Sequence, residues 1–382
     1  MIYLDNAATT FPKPISVTEA VAECMKHWCA NPGRAGHMSA MKSGESVYDA
    51  RQKVAELIGA QPGEIIFTSN CTDALNMALH GTLKKGDHVV TTMMEHNSVL
   101  RPLNELKKHG VETTIVKCGA DGYPMKGAIR AACRENTRMI VCTAASNVTG
   151  TIMPIEEIGS AAKEKGILFL VDGSQGAGVM DIDVKAAGID MLAASGHKSL
   201  MGPQGTGFLY VKTGVSIRTT IQGGTGTESK NISQPQDRPE GFEAGTVNVP
   251  GITGLAEGIR FIKKIGIPAI RKYEEELISC LYEETLDMKK MIRFGPQRVE
   301  EKVGIFSFNL EGMDSERTAE ILDKEYGIAV RAGFHCAPFA HRAIGTERSG
   351  CVRMSVGMFN TMEEMRETAS ALREIEEKYL LR

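Results

Sequence analysis

A chain of 382 residues exceeds the usual span of one hydrophobic core, so two domains are expected. Hydrophobic and charged fractions of 42% and 24% suit a soluble globular protein, and a net charge of −3 offers no field for nucleic acid or an anionic membrane. No apolar run approaches the roughly 20 residues that span a bilayer, and no basic stretch precedes an apolar one at the start, so a cytoplasmic protein without a secretory signal is expected. Nine scattered cysteines (24, 29, 71, 118, 133, 142, 280, 336 and 351) contain no Cys-x-x-Cys pair. Neither a zinc nor an iron–sulfur site is therefore expected, and free thiols are. Cys133 and Cys142, with apolar neighbours, read as buried small hydrophobes.

In chain order, residues 3–10 pass from apolar to small side chains and are halted by Pro12 and Pro14. Residues 15–29 are helical in pattern, 31–37 form a Gly/Pro loop, and 43–58 return to helix with Val47, Ala50, Val54 and Leu57 on one face. An alternation follows. Strands are predicted at 64–68, 88–94, 111–116, 139–144 and 167–171, separated by helices at 72–83, 98–109, 125–134 and 155–165. Further strands at 189–194 and 208–211 flank a glycine-rich stretch around Lys198. This pattern predicts an α/β fold: a large domain with a mostly parallel sheet covered by helices. Residues 222–241 read as a long loop. Past residue 250 come amphipathic helices such as 270–286, short strands at 303–310, 328–331 and 351–356, and a capping box at Thr361 and Glu364 opening a last helix. These suit a smaller α+β C-terminal domain, and the border is placed near 250.

In open parallel sheets, ligands sit outside the carboxyl ends of the strands. Those ends supply Asn70-Cys71-Thr72-Asp73 opening a helix, then Glu95-His96, Asn147, Asp172 with Gln175, and Ser195 with His197 and Lys198. Any one of these suits a solvated loop; five strand ends delivering them to one sheet edge point to a site. The set matches the needs of pyridoxal phosphate: a lysine for its aldehyde and a carboxylate to keep the pyridine nitrogen protonated. Asp172 suits the carboxylate role, His96 could stack on the ring, Gln175 could donate to the phenolic oxygen, and Thr72, Ser195 and His197 could bind phosphate.

The segments 3–9 (YLDNAAT), 95–96 (EH), 147–151 (NVTGT), 171–175 (VDGSQ), 195–198 (SGHK), 242–246 (FEAGT) and 331–337 (RAGFHCA) resemble the class V pyridoxal-phosphate enzymes, specifically the cysteine desulfurases and selenocysteine lyases. The resemblance runs almost end to end. It implies an aspartate-aminotransferase-like fold, with residues 15–250 as the cofactor-binding domain and residues 1–14 with 251–382 as the small domain. It implies that Lys198 binds the cofactor and shuttles the α-proton, that Asp172 pairs the pyridinium, and that His96 stacks and acts in acid–base steps. Thr72, Ser195 and His197 would hold the phosphate, joined by Thr246 from the neighbouring subunit of a homodimer. Cys71 would add a backbone N–H and little more. Asn147 and Arg353 would take the substrate carboxylate, and Arg331 would be a further substrate-binding residue.

Cys336 is the sulfur acceptor in this picture: its thiolate attacks the substrate sulfur, leaving L-alanine and an enzyme persulfide, with Arg331 and His335 beside it as positive or hydrogen-bonding groups. A sulfur-acceptor protein would follow. Nearby His341 reads as a loop residue. Two positions depart from related sequences and border the substrate: Phe334 stands where a histidine is common, and so does Gly33. The substrate implied is L-cysteine; the rival readings are L-selenocysteine lysis and another class V aminotransferase, lyase or epimerase activity. The glycines after Lys198 are expected to give room for the cofactor and a neighbouring chain.

Overall fold

The computed structural model describes residues 1–32 and 36–381, so Gly33 lies outside the described residues. A short strand β1 (Ile2–Tyr3) precedes helices α1 (Ile15–His27) and α2 (Met38–Ile58). Helix α2 starts five residues before the expected position because the His37 ring accepts a hydrogen bond from Ala40 N at 3.2 Å, capping it there. It ends at Gly59, whose φ of 72° closes the helix with a left-handed residue.

The predicted alternation is then realised as β2 (Ile65–Thr68), α3 (Cys71–Thr82), β3 (His88–Thr92), α4 (Asn97–Lys108), β4 (Glu112–Val116), α5 (Ala128–Ala132), β5 (Thr137–Thr143), α6 (Ile155–Glu164), β6 (Leu168–Asp172), β7 (Met191–Ser195) and β8 (Gly207–Val211). Helix α5 is shorter than expected; Gly127, at φ 75°, breaks the helical path before it. Seven strands form one sheet in the order β2-β8-β7-β6-β5-β3-β4, with β8 antiparallel to both neighbours and every other pairing parallel. The central strands β6, β7 and β8 are buried at nearly every position because helices cover both faces, whereas the edge strand β4 exposes Glu112 and Ile115. Alternate residues divide between two cores: Phe169 and Val171 of β6 join one cluster with α2, while Leu170 joins another with α3 and α4.

Between β8 and helix α7 (Val249–Ile265) the chain holds only a single 3-10 turn, Glu240–Phe242, among the described residues, in keeping with a long loop. The loop is pinned by Glu243, which accepts from both terminal nitrogens of Arg51 at 2.7 and 2.8 Å and from Phe67 N at 2.6 Å. Next come α8 (Ile267–Glu284), β9 (Met291–Phe294), β10 (Ile305–Leu310), α9 (Ser315–Tyr326), β11 (Ile328–Ala329), α10 (Pro338–Ala343), β12 (Val352–Ser355) and α11 (Met362–Tyr379). The last helix opens on the expected capping box, Thr361 Oγ1 accepting from Glu364 N at 3.2 Å and Glu364 accepting from Thr361 N at 3.0 Å. Strands β12-β10-β9 form an antiparallel sheet, and β1 pairs with β11 in parallel. A third core joins Ile2 and Leu4 to Leu277, Phe306, Met354 and Leu372, so the N-terminus packs with the C-terminal elements. Helix α7 lies against α1 and α2; we therefore propose a border between two units after α7 rather than at residue 250. No helix among the described residues is long and apolar enough to cross a membrane.

Candidate active site

The carboxyl ends of β3, β5, β6 and β7 and the start of α3 surround a cavity of about 440 Å³, within the range of small-ligand pockets. Asn70 caps α3 by accepting from Asp73 N at 3.0 Å, and Cys71 N donates to Ser195 Oγ at 3.3 Å, joining the helix start to the end of β7. Strand β8 passes so close that a Cβ on Gly207 would stand 2.7 Å from the Asn70 backbone. The Lys198 turn is closed by Met201 N donating to Lys198 O and Gly202 N to Gly196 O, each at 2.8 Å. Two of its glycines make room for this chain itself: a Cβ on Gly196 would collide with Thr206, and one on Gly202 would crowd Gly196 and Leu255. Helix α7 presses on the same turn, since a Cβ on Gly258 would lie 2.3 Å from Leu200 O.

Burial lowers the pKa of the Lys198 amine, with Asp172 the main opposing influence, and among the described residues the amine has no hydrogen-bond or ion-pair partner. Asp172 Oδ1 accepts from Ser174 N at 2.9 Å and from the Cys71 thiol at 3.3 Å, leaving its second oxygen without a partner among the described residues. Cys71 thus contributes its side chain as well as its N–H, contrary to expectation; burial and Asp172 hold it as the neutral thiol. His96 Nδ1 accepts from Ser98 N at 3.0 Å and pairs with Ser98 Oγ at 2.7 Å, and Ser98 Oγ reaches Thr72 Oγ1 at 2.8 Å. Burial pushes His96 down to about 4, so its ring is neutral at physiological pH. Glu95 beneath it is pushed up to about 8 by burial and keeps its proton; its Oε1 accepts from Thr92 Oγ1 at 2.6 Å. His197, also lowered to about 4 by burial, bonds Thr9 Oγ1 at 3.2 Å. Gln175 Nε2 donates to Ala7 O at 3.0 Å, which fastens the N-terminal segment to the cavity wall.

Nine of the expected residues line this one cavity: Cys71, Thr72, His96, Asn147, Asp172, Gln175, Ser195, His197 and Lys198. Four do not. Thr246 is exposed on the long loop. Arg353 is 1% exposed and already engaged, with Nη1 donating to Asn147 O at 2.9 Å and Nη2 to Asp5 at 2.7 Å, while its Nε is buried without a partner. Arg331 and Cys336 belong to the loop between β11 and α10, where Arg331 Nη2 stands 3.9 Å from Cys336 Sγ. Cys336 is exposed, and both it and His335 adopt left-handed backbone, at φ 58° and 46°. That loop docks through its carbonyls: Asn97 N donates to Cys336 O, and Asn147 Nδ2 to His335 O, each at 2.7 Å. His341, expected in a loop, is instead a buried residue of α10 bonded to Thr346 Oγ1 at 2.7 Å. All nine cysteines are free; Cys142 is buried as expected, whereas Cys133 is only half-buried. Ser98 of α4, Thr143 at the end of β5 and Ser174 just past β6 also line the cavity; only their nearness to strand ends could have marked them.

The family model for class V aminotransferases matches residues 2–367. The chain belongs to the class V aminotransferase family. It is 38% identical over 381 residues to a probable cysteine desulfurase of Methanothermobacter thermautotrophicus, covering 98% of this chain and 94% of that one. A cysteine desulfurase of Yersinia pseudotuberculosis is 33% identical, with 98% and 93% covered. Among solved structures, the apo cysteine desulfurase of Thermococcus onnurineus superposes with a TM-score of 0.92 at 33% identity, covering 99% of this chain and 95% of that one. The S-sulfonic acid form of an Escherichia coli cysteine desulfurase gives 0.88 at 27% identity, covering 98% and 94%. The family is generally pyridoxal-phosphate-dependent. The residues present fit that group: an unpaired amine, a carboxylate oxygen left open, and a helix start rimmed by Thr72 and Ser195 share one cavity.

Proposed function

We propose that the protein is a pyridoxal-phosphate-dependent cysteine desulfurase that converts L-cysteine to L-alanine and carries the sulfur as a persulfide on Cys336. The observation that carries this reading is an exposed Cys336 thiol on a loop docked by its carbonyls against Asn97 and Asn147, at the edge of a cavity holding Lys198 and Asp172. When bound, pyridoxal phosphate supplies an electron sink for the bonds at the substrate α-carbon.

The chain's own residues do the rest. Asp172 would hold the pyridine nitrogen through its open oxygen, and the α3 start with Thr72, Ser195 and His197 would hold the phosphate. The neutral His96 ring, which lines the cavity, would cover the ring of the cofactor. Lys198, whose amine burial shifts to a lower pKa, would take the proton from the substrate α-carbon and return it. Arg353 binds the substrate carboxylate by giving up Asp5 as its partner, with Asn147 beside it. Cys336 attacks the substrate sulfur: an S–S bond forms, the carbon–sulfur bond breaks, and its electron pair stays with the three-carbon skeleton, which takes a proton to leave as alanine. A homodimer in which Thr246 of the long loop completes the phosphate site, a cytoplasmic location, and transfer of the persulfide sulfur to an acceptor protein belong to the same reading.

The test is alanine and sulfide formation from L-cysteine with a reductant, by protein carrying the cofactor. Cys336→Ala should keep the visible absorbance of the cofactor and lose sulfide release; sulfide at the unsubstituted rate would remove the persulfide role. L-Selenocysteine run in parallel separates the lyase reading, which expects turnover to survive Cys336→Ala.

A further inference from the structure

Behind the Cys336 loop, outside the cavity, three side chains from three segments meet: His335 of the loop, His341 of α10 and Cys351, which immediately precedes β12. One ligand atom from each lies within 4.8 Å of the others, and all three residues are buried. His335 Nε2 stands 3.0 Å from the Cys351 carbonyl and 3.5 Å from Cys351 Sγ, while His341 Nδ1 is held by Thr346 Oγ1 at 2.7 Å. The other nitrogen of each ring, His335 Nδ1 and His341 Nε2, is buried with no hydrogen-bond partner. Buried polar atoms are rarely left so, and two in one cluster with a thiol need a reason. At His341, one nitrogen bonded to an oxygen and the other left open is the arrangement of metal-binding histidines; at His335 the nitrogen nearest the thiol is Nε2, so a ligand role there exchanges the Cys351 carbonyl for the ion.

We infer that His335, His341 and Cys351 form a binding site for a zinc-class divalent ion. Two imidazoles and a thiol, with no carboxylate in the group, suit a borderline-soft ion rather than calcium or magnesium. Binding releases the Cys351 thiol proton to solvent, and the thiolate offsets part of the ion's charge. Arg353, two positions along β12, already has Asp5 as counter-charge. The bound ion would tie the approach to β12, α10 and the Cys336 loop together, bracing the left-handed pair at His335 and Cys336. His335 and His341, with five residues between them, have the spacing of the histidine half of a zinc-finger pattern, but no Cys-x-x-Cys accompanies them and Cys351 follows ten residues later, so the full group is visible only once the chain is folded. It does not depend on the desulfurase reading.

The experiment is zinc retention by cofactor-loaded protein that has been stripped with a chelator, re-exposed to zinc, gel-filtered and analysed for metal. One zinc per chain is expected for the unsubstituted protein and for Cys336→Ala, with affinity reduced at least about tenfold in His341→Gln and Cys351→Ser. No retained zinc, equal affinity in those two variants, or loss in Cys336→Ala alone would overturn the assignment. Because substitutions at buried positions can unfold the chain, cobalt(II) added to the unsubstituted protein gives a second readout. Intense visible bands of a tetrahedral thiolate-containing site support the proposal; the weak bands of an octahedral ion refute it.

Discussion

Glu274 of α8 is a carboxyl enclosed by protein, 6% exposed, that faces Gly304 and has no salt bridge among the described residues. Burial raises its pKa from 4.5 to about 8, against the pull of Arg271 and the Gly304 N–H. At about 1.4 kcal/mol per unit, that shift corresponds to at most about 5 kcal/mol of pH-dependent stability. The sign follows from which state ionises first. Below the unfolded value both states hold the proton and the contribution is complete. As pH rises the unfolded chain ionises while the folded one does not, so stability falls steadily until pH passes about 8 and the folded carboxyl ionises too. Glu274→Gln keeps the shape and removes the titration. Urea unfolding of both proteins from about pH 5 to about pH 8.5 isolates this group, because Glu95, His96 and Lys302 titrate alike in both and cancel in the difference. The variant should gain on the unsubstituted protein by several kcal/mol across the interval, with roughly two-thirds of the gain reached by neutrality and the remainder levelling off past about pH 8. A difference that stays flat with pH would show that the carboxyl is solvated in the folded state and would refute the reasoning.

Four further outcomes are expected. Gly258→Ala should cost about 1–3 kcal/mol by thermal unfolding and weaken cofactor retention, because the added methyl meets Leu200 O of the Lys198 turn; an unchanged midpoint would show that α7 can recede. Arg51→Met should cost about 3–5 kcal/mol, since it leaves Glu243 ionised and unpaired with both side chains 8% exposed; chemical denaturation measures it. Cys71→Ala removes one weak thiol hydrogen bond to the Asp172 carboxylate and should weaken cofactor affinity by no more than about tenfold, read from the visible absorbance on titration. Lys198→Ala should leave no lysine for borohydride to link to the cofactor, checked by mass after reduction.

The alternation of apolar runs with helical stretches made the large sheet legible, because central strands covered on both faces are apolar at nearly every position and helices at three- to four-residue spacing. The strand-end rule then gathered nine cavity residues from one sheet edge. Elements without a strong local signal were harder. Strand β9 has only four residues and exposes Ile292, and α9 is mostly charged, with Ile321 and Leu322 as its buried apolar pair. The partners of long-range polar groups left no trace at all: Arg353 and Asp5 meet across 348 positions, and Glu95 is distinguished from other carboxylates only by its enclosure. His341 was misread for a related reason, since the Pro338 that opens α10 looks locally like a chain break.

The bond from Asn97 N to Cys336 O has a mechanical consequence. Asn97 is the residue after His96, so the ring beside the cofactor and the backbone beneath the exposed thiol are fastened to each other. With the carbonyls of both His335 and Cys336 tied down, the backbone of the loop has no freedom to sweep between the cavity and the surface. The sulfur's travel reduces to rotation about the Cα–Cβ bond of one side chain, a swing of a few ångströms at rotamer-flip speed. In the proposed reaction Cys336 would be a fixed post with a turning arm: what loads it would come up from the cavity, and what unloads it would come to the surface of the protein.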